Sequence, residues 1–284
     1  MCGTKLNLNA ATMLAAVMIG ESLLVSKEPA HRRLAERQVV TSSCGVMPQE
    51  VAMESLFPNL YRFTGASARN ETLFTYLIVR EGGNLLLPCQ DGPVREHFDD
   101  IEELGGVATQ FVTHNHDVDG ALVEAVHDRF GAELCYHSAE QDAIAEKTKC
   151  QSVVFGDEGL RVGSDFQAIY FPSCCAGSSL YHWQHGGKHF LFTSHVINLV
   201  EGEWQNGLDL WQYRNLREWS DSETPPDPRP QLAKIAELSL DYTMPNVSVD
   251  DQEEYHQFSD DTRTSFFLAL DAQVAAEAKH VLNE

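Results

Sequence analysis

A short stretch of the sequence contains side chains that can bind a metal ion. Residues 111–120 read Phe-Val-Thr-His-Asn-His-Asp-Val-Asp-Gly, which places His114 and His116 two residues apart and Asp117 and Asp119 directly behind them. Histidines two apart in an extended backbone point to the same side, so both imidazoles can reach one cation at about 2.0–2.1 Å. The spacing predicts a metal site, with solvated loop histidines as the alternative.

The two carboxylates have two interpretations. At a metal site, either one can orient or deprotonate a water molecule. Asp is also favoured immediately before a helix, so Asp117 or Asp119 can instead cap the helix predicted to begin near Gly120. The sequence leaves both interpretations open.

Alternating strands and helices must position these residues. Short apolar, β-rich runs and helical periods follow one another with brief turns between them, which is typical of an α/β fold with helices packed on a sheet. In the first half we predict strands at 60–63, 73–80, 84–88, 107–114 and 133–137, and helices at 93–104 and 120–130.

The second half repeats this pattern. We predict strands at 167–172, 178–184, 189–194 and 240–245, and helices at 205–219, 231–238 and 260–282. One face of the predicted helix 205–219 carries large apolar side chains, which we interpret as core, with a pocket wall as the alternative. These side chains are Trp204, Leu208, Trp211, Leu216 and Trp219. The prolines of 220–230 predict an exposed loop. We place a leader or appended helix at residues 1–55 and the folded domain at 56–284.

Four blocks of the chain resemble motifs of the metallo-β-lactamase superfamily, in the superfamily's order. The stretch around His114 resembles its Thr-His-x-His-x-Asp-His-x-Gly-Gly motif. Residues 171–180 (FPSCCAGSSL) resemble Pro-Gly-His-Thr-Pro-Gly-Ser-Leu, residues 191–196 (LFTSHV) resemble Leu-Phe-Thr-Gly-Asp-Val, and residues 240–247 (LDYTMPNV) resemble a strand ending in Pro-Gly-His. The resemblance covers about residues 57–250. It implies a four-layer αβ/βα sandwich, with two mixed sheets inside and helices outside.

The resemblance also implies a metal site, because most superfamily members are zinc- or iron-dependent hydrolases. His114 and His116 match the first two ligands of the superfamily's first metal site. Its third histidine is replaced here, with Cys174 as the aligned residue and Cys175 as its neighbour. These two cysteines can equally be small buried residues in a tight corner.

The second metal site is altered further. The Asp-His pair of the motif is shortened by one residue, so either Asp117 or Asp119 stands for its Asp, and its His is absent. His195 replaces the carboxylate that bridges the two metals, and Asn246 or Val247 replaces the terminal histidine. His195 has a second interpretation, as a core or rim histidine.

These replacements predict at most one ion. Two dications about 3.5–4 Å apart repel strongly, and a neutral imidazole with divergent nitrogens cannot replace a shared carboxylate. His114, His116, a thiolate from Cys174 or Cys175, and His195 would form a set that suits one zinc ion. With all four bound the site is closed and structural. If His195 stands off, one position is left for water.

Three functions follow from this site. The first is a metal-dependent hydrolase that acts on an ester, thioester, amide or lactam bond of a small molecule. The second is a non-catalytic relative whose cleft binds a small molecule or a partner protein. The third is thiol chemistry at Cys174 or Cys175, with His195 lowering a thiol pKa. His182, His185 and His189 surround a predicted hairpin turn, and we expect them to be exposed.

Composition narrows the partners and the compartment. With 42 acidic against 20 basic residues the formal charge is −22, which argues against nucleic acid and anionic membranes as partners. Seven cysteines without a CxxC spacing indicate reduced thiols, so we expect a cytoplasmic protein. Residues 10–25 are apolar but interrupted by Glu21. They are a leader or helix, or alternatively the core of a signal segment that would export the protein.

Overall fold

Two β-sheets organise the part of the chain that the structure describes. This computed structural model describes residues 53–66, 72–88, 93–172, 175–194, 197–200, 203–206, 229–248 and 255–282. The strands, in chain order, are β1 (Met53–Phe57), β2 (Leu60–Ala66), β3 (Thr72–Ile78), β4 (Leu85–Leu87), β5 (Thr109–Phe111), β6 (Glu133–His137), β7 (Ser152–Phe155), β8 (Leu160–Val162), β9 (Phe166–Tyr170), β10 (Ser179–His185), β11 (Lys188–Ser194), β12 (Ile197–Val200), β13 (Glu203–Asn206), β14 (Tyr242–Pro245), β15 (Val247–Ser248) and β16 (His256–Gln257).

The helices lie between these strands. They are α1 (Phe98–Glu103), α2 (Gly120–Phe130), α3 (Gln141–Ala145), α4 (Arg229–Ala236) and α5 (Asp260–Leu282), and short 3-10 turns cover Pro93–His97, Asn115–Asp117 and Ser138–Glu140. Helix α2 begins after Asp119 and ends at Gly131, whose left-handed backbone (φ 72°) is typical of a helix end. No helix in the described ranges is long and apolar enough to cross a membrane.

Both sheets are mixed. The first has the order β1-β2-β3-β4-β5-β6-β7, with β15 added beside β3, and the second has the order β16-β14-β11-β10-β9-β8. Strands β4, β5, β6 and β7 run parallel. In the second sheet β11 and β14 are parallel, while β9, β10 and β11 are antiparallel neighbours. Since carboxyl ends of parallel strands meet at one edge, the residues that follow β5 and β6 lie side by side.

Alternation along the strands builds four layers. In β3, Phe74, Tyr76 and Ile78 face a core between the two sheets, where they join Trp183 and Phe192 of the second sheet. The opposite face of the first sheet packs on α1 and α2 through a second cluster that includes Leu77, Ile101, Leu122 and Val126. The outer face of the second sheet packs on α4 and α5 through a third cluster, with Leu180, Leu191, Ile235 and Phe266. The chain is therefore an αβ/βα sandwich, as predicted.

Most predicted elements are present, with shorter strands. The predicted strand 107–114 is reduced to Thr109–Phe111 because the chain leaves the sheet to place His114. The predicted helix 93–104 is a 3-10 turn followed by α1. The first strand begins at Met53, and the domain boundary at residues 55 and 56 stays a prediction.

Two expectations need correction. A helix cannot begin at residue 205, because Glu203–Asn206 is paired with Ile197–Val200 as a hairpin, and Trp204 packs on Phe266 with ring centroids 5.0 Å apart. Residues 207–228, including the rest of the predicted stripe and most of the proline-rich loop, lie outside the described residues. The three histidines at the hairpin are also not exposed as expected: His182 is buried, because β10 is an inner strand of the second sheet, and His185 and His189 are partly buried.

Candidate functional site

The two histidines follow β5 at the carboxyl edge of the first sheet. His114 is buried and extended (φ −165°), and its ring Nδ1 accepts a hydrogen bond of 3.1 Å from the backbone N–H of His116. This bond starts the 3-10 turn Asn115–Asp117, which brings the exposed His116 ring beside that of His114, with centroids 5.3 Å apart. Both imidazoles therefore face one small volume.

A turn of the second sheet brings a thiol to the same place. Cys175 is 4 % exposed, and its turn is closed by hydrogen bonds from its N–H to Ser178 Oγ (3.0 Å) and from the N–H of Ser178 to its carbonyl (3.2 Å). The N–H of Ser179 donates to the carbonyl of Thr113 (2.9 Å), so this turn is joined to the histidine loop. As a result Cys175 Sγ lies 3.8 Å from His116 Nδ1.

These three residues form a group that can hold a metal ion. Ligand atoms of His114, His116 and Cys175 all lie within 4.8 Å of one another. Among the described residues, this is the group of three or more His, Cys, Asp or Glu side chains whose ligand atoms come together in this way. Nitrogen and sulfur ligands of one tetrahedral zinc ion lie about 3.5 Å apart, given bonds of about 2.0 and 2.3 Å. The 3.8 Å between Cys175 Sγ and His116 Nδ1 is close to that separation. The donor set therefore fits one zinc-like ion after small movements.

One hydrogen bond must change for His114 to bind an ion. Its Nδ1 accepts from a backbone N–H, so the neutral ring carries its proton on Nε2, which lies 3.5 Å from Asp117 Oδ2. A histidine that binds a metal through Nε2 usually donates from Nδ1 to an acceptor. Binding through Nε2 would therefore move the proton to Nδ1 and break the bond to His116.

The carboxylate of Asp117 is buried in a network of neutral donors. Its Oδ2 accepts from Asn246 Nδ2 (2.9 Å), from Ser194 Oγ (3.4 Å) and from Thr113 Oγ1. Ser194 has a left-handed backbone (φ 56°) at the position where the similar motif has glycine. Asn246 donates to this carboxylate through its side-chain amide. By the sequence resemblance, either Asn246 or Val247 stands where the superfamily has its terminal histidine.

Asp119 has a structural role. Its Oδ1 accepts hydrogen bonds from the N–H groups of Ala121 (2.9 Å) and Leu122 (3.2 Å), so it caps α2, which is one of the two interpretations left open by the sequence. It is not in the converging group. Cys174 and His195 lie outside the described residues, and their part in the site stays a prediction.

The sequence did not reveal Glu140. This residue ends the 3-10 turn after β6 and is 2 % exposed. Its carboxylate accepts hydrogen bonds from Asn115 of the histidine loop and from Gly177 of the cysteine turn. Its position directly after the carboxyl end of a parallel strand was the available signal. The partners 25 and 37 residues away were not predictable from local spacing.

Other titratable groups near the sheets are held in their neutral forms by burial. Burial, with Glu133 nearby, raises the pKa of the Cys135 thiol to about 12, which makes this core cysteine unreactive. Burial lowers the pKa of His137, although Asp157 opposes the shift through a hydrogen bond of 3.2 Å. Of the three cysteines in the described residues, only Cys175 lies against an imidazole at hydrogen-bond range.

Comparison with solved structures identifies the fold. A metallo-β-lactamase from Cronobacter sakazakii, a mutant of its HARLDQ motif, aligns over 82% of this chain and 98% of its own, with 13% identity and a TM-score of 0.52. The DIM-1 metallo-β-lactamase exposed to ceftazidime aligns over 80% and 98%, with 11% identity and a TM-score of 0.53. No protein-family model and no curated protein matches the chain. The chain therefore has the metallo-β-lactamase-like fold, with low sequence identity to these two proteins.

Proposed function

We propose that the protein is a metal-dependent hydrolase with a single zinc ion held by His114, His116 and Cys175. The observation that carries this proposal is the convergence of the three ligand atoms within 4.8 Å, at the edge where β5 ends. Two imidazoles and a thiolate form a donor set that suits zinc. His195 or Cys174 would be the fourth ligand if either is in reach, and otherwise a position is left for water.

The ion and the nearby residues would have different roles at this site. When bound, the ion supplies a Lewis acid that activates water and polarises a carbonyl oxygen. The Asp117 carboxylate, whose Oδ2 lies 3.5 Å from His114 Nε2, would balance the positive charge of the ion. Its Oδ2 already accepts from Asn246 and two hydroxyls, which hold the carboxylate in this position. We prefer Asp117 to Asp119 as the site carboxylate, because Asp119 caps α2.

The same network supports one ion rather than two. A second ion beside the first would need anionic ligands to offset the repulsion of two dications. The Asp117 carboxylate is instead turned toward an amide and hydroxyl groups. Asn246 offers a neutral amide and Val247 an apolar side chain, and one of these two residues stands where the similar motif has a histidine.

The proposed substrate class rests on the resemblance to the metallo-β-lactamase superfamily and on the charge of the chain. We propose a small molecule with an ester, thioester, amide or lactam bond, since a chain with a formal charge of −22 repels polyanions. We also propose a cytoplasmic location, which the free state of Cys135, Cys150 and Cys175 supports.

Metal analysis tests the proposal. Protein purified without added metal should contain zinc at about one ion per chain, and chelator-treated protein should rebind one equivalent of Zn²⁺. His114→Ala, His116→Ala and Cys175→Ser should each weaken Zn²⁺ binding by more than the roughly 10- to 100-fold that loss of an outer hydrogen-bond partner costs. His189→Ala, a partly buried histidine in another part of the fold, is the matched control and should bind as the wild type does. If the wild type binds no Zn²⁺, the proposed hydrolase has no Lewis acid and the proposal is wrong.

A second candidate is thiol chemistry at Cys175. His116 Nδ1 lies 3.8 Å from Sγ, and Asn115 Nδ2 donates to the same sulfur at 3.7 Å. An adjacent imidazole that accepts the thiol proton would favour the nucleophilic thiolate. Here the partner is His116, whereas the sequence had suggested His195.

Alkylation separates the candidates. If the thiol is activated by His116, Cys175 in metal-free wild-type protein should react with iodoacetamide much faster than Cys175 in the His116→Ala variant. A metal-binding thiol should instead be protected by Zn²⁺. Protein that binds no metal, has an ordinary thiol and hydrolyses none of a panel of esters, thioesters and lactams would fit the non-catalytic binding role.

A further inference from the structure

Glu140 is a buried carboxylate that joins two separate loops of the candidate site. It follows β6, and the Nδ1 of His137 accepts from the N–H of Ala139 (3.2 Å), which fixes the turn in which Glu140 lies. The side chain is 2 % exposed and points back across the carboxyl edge of the first sheet.

Each carboxylate oxygen serves a different loop. Oε2 accepts from the backbone N–H (2.9 Å) and the side-chain Nδ2 (2.6 Å) of Asn115, the residue between the two histidines. Oε1 accepts from the N–H of Gly177 (2.7 Å), two residues after Cys175. Hydrogen bonds from N–H groups to a carboxylate are about twice as strong as neutral ones. Glu140 is thus a clamp between the imidazole loop and the thiol turn.

Close packing accompanies these bonds. A Cβ at Gly177 would lie 2.5 Å from Glu140 Cγ and 3.1 Å from both Glu140 Oε1 and His137 Nδ1. Only a residue without a side chain therefore lets the cysteine turn come this close to the carboxylate. The separation of the two loops depends on Glu140 and on the absence of a side chain at Gly177.

We propose that Glu140 is a positioning residue for the metal centre, because its carboxylate sets the distance between Cys175 and His116. This inference rests on the proposed function. The thiol and imidazole are 59 residues apart in sequence, and their 3.8 Å separation is held where both neighbouring backbones bond to one side chain. Outer hydrogen-bond partners of this kind set the affinity and geometry of metal sites.

Cobalt binding tests the proposal, because Co²⁺ in place of Zn²⁺ reports thiolate ligation through its charge-transfer absorption. In Glu140→Gln one acceptor oxygen becomes an NH₂ group that faces N–H donors, so Co²⁺ affinity should fall about 10- to 100-fold and the thiolate band should weaken or shift. Gly177→Ala, which displaces the turn without changing the carboxylate, should have the same effect and replaces Glu140→Gln if that variant does not fold. Asp165→Asn is the control, since it removes a carboxylate that joins strands in another part of the sandwich and should leave affinity and spectrum unchanged.

Each outcome has one meaning. If the variants bind Co²⁺ with wild-type affinity and spectrum, Glu140 does not position the site, while the proposed function stands. If the wild type binds no Co²⁺ or Zn²⁺, the proposed function fails, and alkylation of Cys175 tests the clamp alone. Release of the turn should then raise the alkylation rate of Cys175 at least about tenfold in Glu140→Gln. Equal rates in the two proteins would overturn the positioning role.

Discussion

Buried carboxylates at the two ends of the sandwich have different partners, a guanidinium at one end and neutral donors at the other. At the Arg80 end, where β3 finishes and β9 begins, Arg80 donates to both carboxylate oxygens of Asp165 (3.0 and 2.5 Å) and to the carbonyl of Val162 (2.9 Å). Trp183 Nε1 also donates to Asp165 at 3.3 Å. The pair links the first sheet to the second, and its opposite charges cancel inside the fold.

At the His114 end, where β5 and β6 finish, the buried carboxylates face neutral donors. Asp117 accepts from an amide and hydroxyl groups, and Glu140 accepts from N–H groups of Asn115 and Gly177. This leaves imidazole and thiol groups converging beside negative charge, an arrangement that attracts a cation. The charges at the Arg80 end therefore join the two sheets, whereas those at the His114 end lie beside the candidate metal ligands.

The largest effect should come from breaking the Arg80 end. Arg80→Met removes the guanidinium and leaves the partly buried Asp165 carboxylate without its ion-pair partner, so the free energy of unfolding should fall by about 3 kcal/mol. Urea unfolding measures this as a lower midpoint at an unchanged m value. Zn²⁺ affinity of the folded variant should equal that of the wild type. A parallel loss of affinity would show that the two ends are coupled.

Acid should destabilise the protein through the buried His182, which lies in the second sheet away from the ligand group. Burial, followed by the charge of His189, lowers the pKa of His182 from 6.5 to about 4. Between pH 6.5 and pH 4 His182 binds a proton in the unfolded chain but not in the folded chain. Its contribution to the free energy of unfolding is therefore fully present above about pH 6.5 and is lost as the pH falls toward 4. The full shift corresponds to roughly 3 kcal/mol, and we expect about 2 kcal/mol because His182 is not fully enclosed.

The variant His182→Gln isolates this contribution. The pKa of His137 is also lowered by burial and acts in the same direction, so the wild type and the variant should both lose stability in acid. Unfolding free energies measured at pH 7 and pH 4.5 should differ less in His182→Gln than in the wild type. Equal differences in the two proteins would mean that His182 titrates normally in the fold.

At the His114 end a smaller loss of stability should accompany a loss of metal affinity. In Asp117→Asn an NH₂ group can face the Asn246 amide and the Ser194 hydroxyl, which costs about 1–2 kcal/mol of unfolding free energy. Zn²⁺ affinity should fall about tenfold or more, because the site loses the negative charge that lies 3.5 Å from His114 Nε2. Calorimetric titration with Zn²⁺ and urea unfolding measure the two effects separately. Unchanged affinity with lowered stability would make Asp117 a structural residue only.

Local patterns in the sequence were sufficient for most of the fold. Strand alternation and Gly-bounded helices predicted β3, β6, β10, β11 and α2 to within one or two residues, because these elements have clear apolar periods. Short elements such as Leu160–Val162 and Val247–Ser248 were missed, since two or three residues carry no period. His182 was misplaced because its burial depends on strand order, which a hairpin pattern does not reveal.

The site was predictable only where its residues are close in sequence. His114 and His116 form one motif, and the order of similar blocks brought the Cys174-Cys175 pair near them. The 3.8 Å contact of Cys175 with His116 and the clamp of Glu140 depend on turns that meet across two sheets, and no sequence spacing carries that information. Asp117 and Asp119 could not be distinguished, because the direction of each side chain depends on the turn that follows His114.

The smallest effect separates those two carboxylates. Asp119→Ala removes the acceptor for the N–H groups of Ala121 and Leu122, so the unfolding free energy should fall by about 1 kcal/mol. Asp119→Asn keeps an acceptor oxygen and should recover most of this loss, which is the behaviour of a helix cap. Neither variant should change Zn²⁺ affinity or the rate of any hydrolysis found in the substrate panel. A drop in rate with Asp119→Asn at full stability would instead make Asp119 the carboxylate that acts on water, and Asp117 would then be left with a purely structural role at the His114 end.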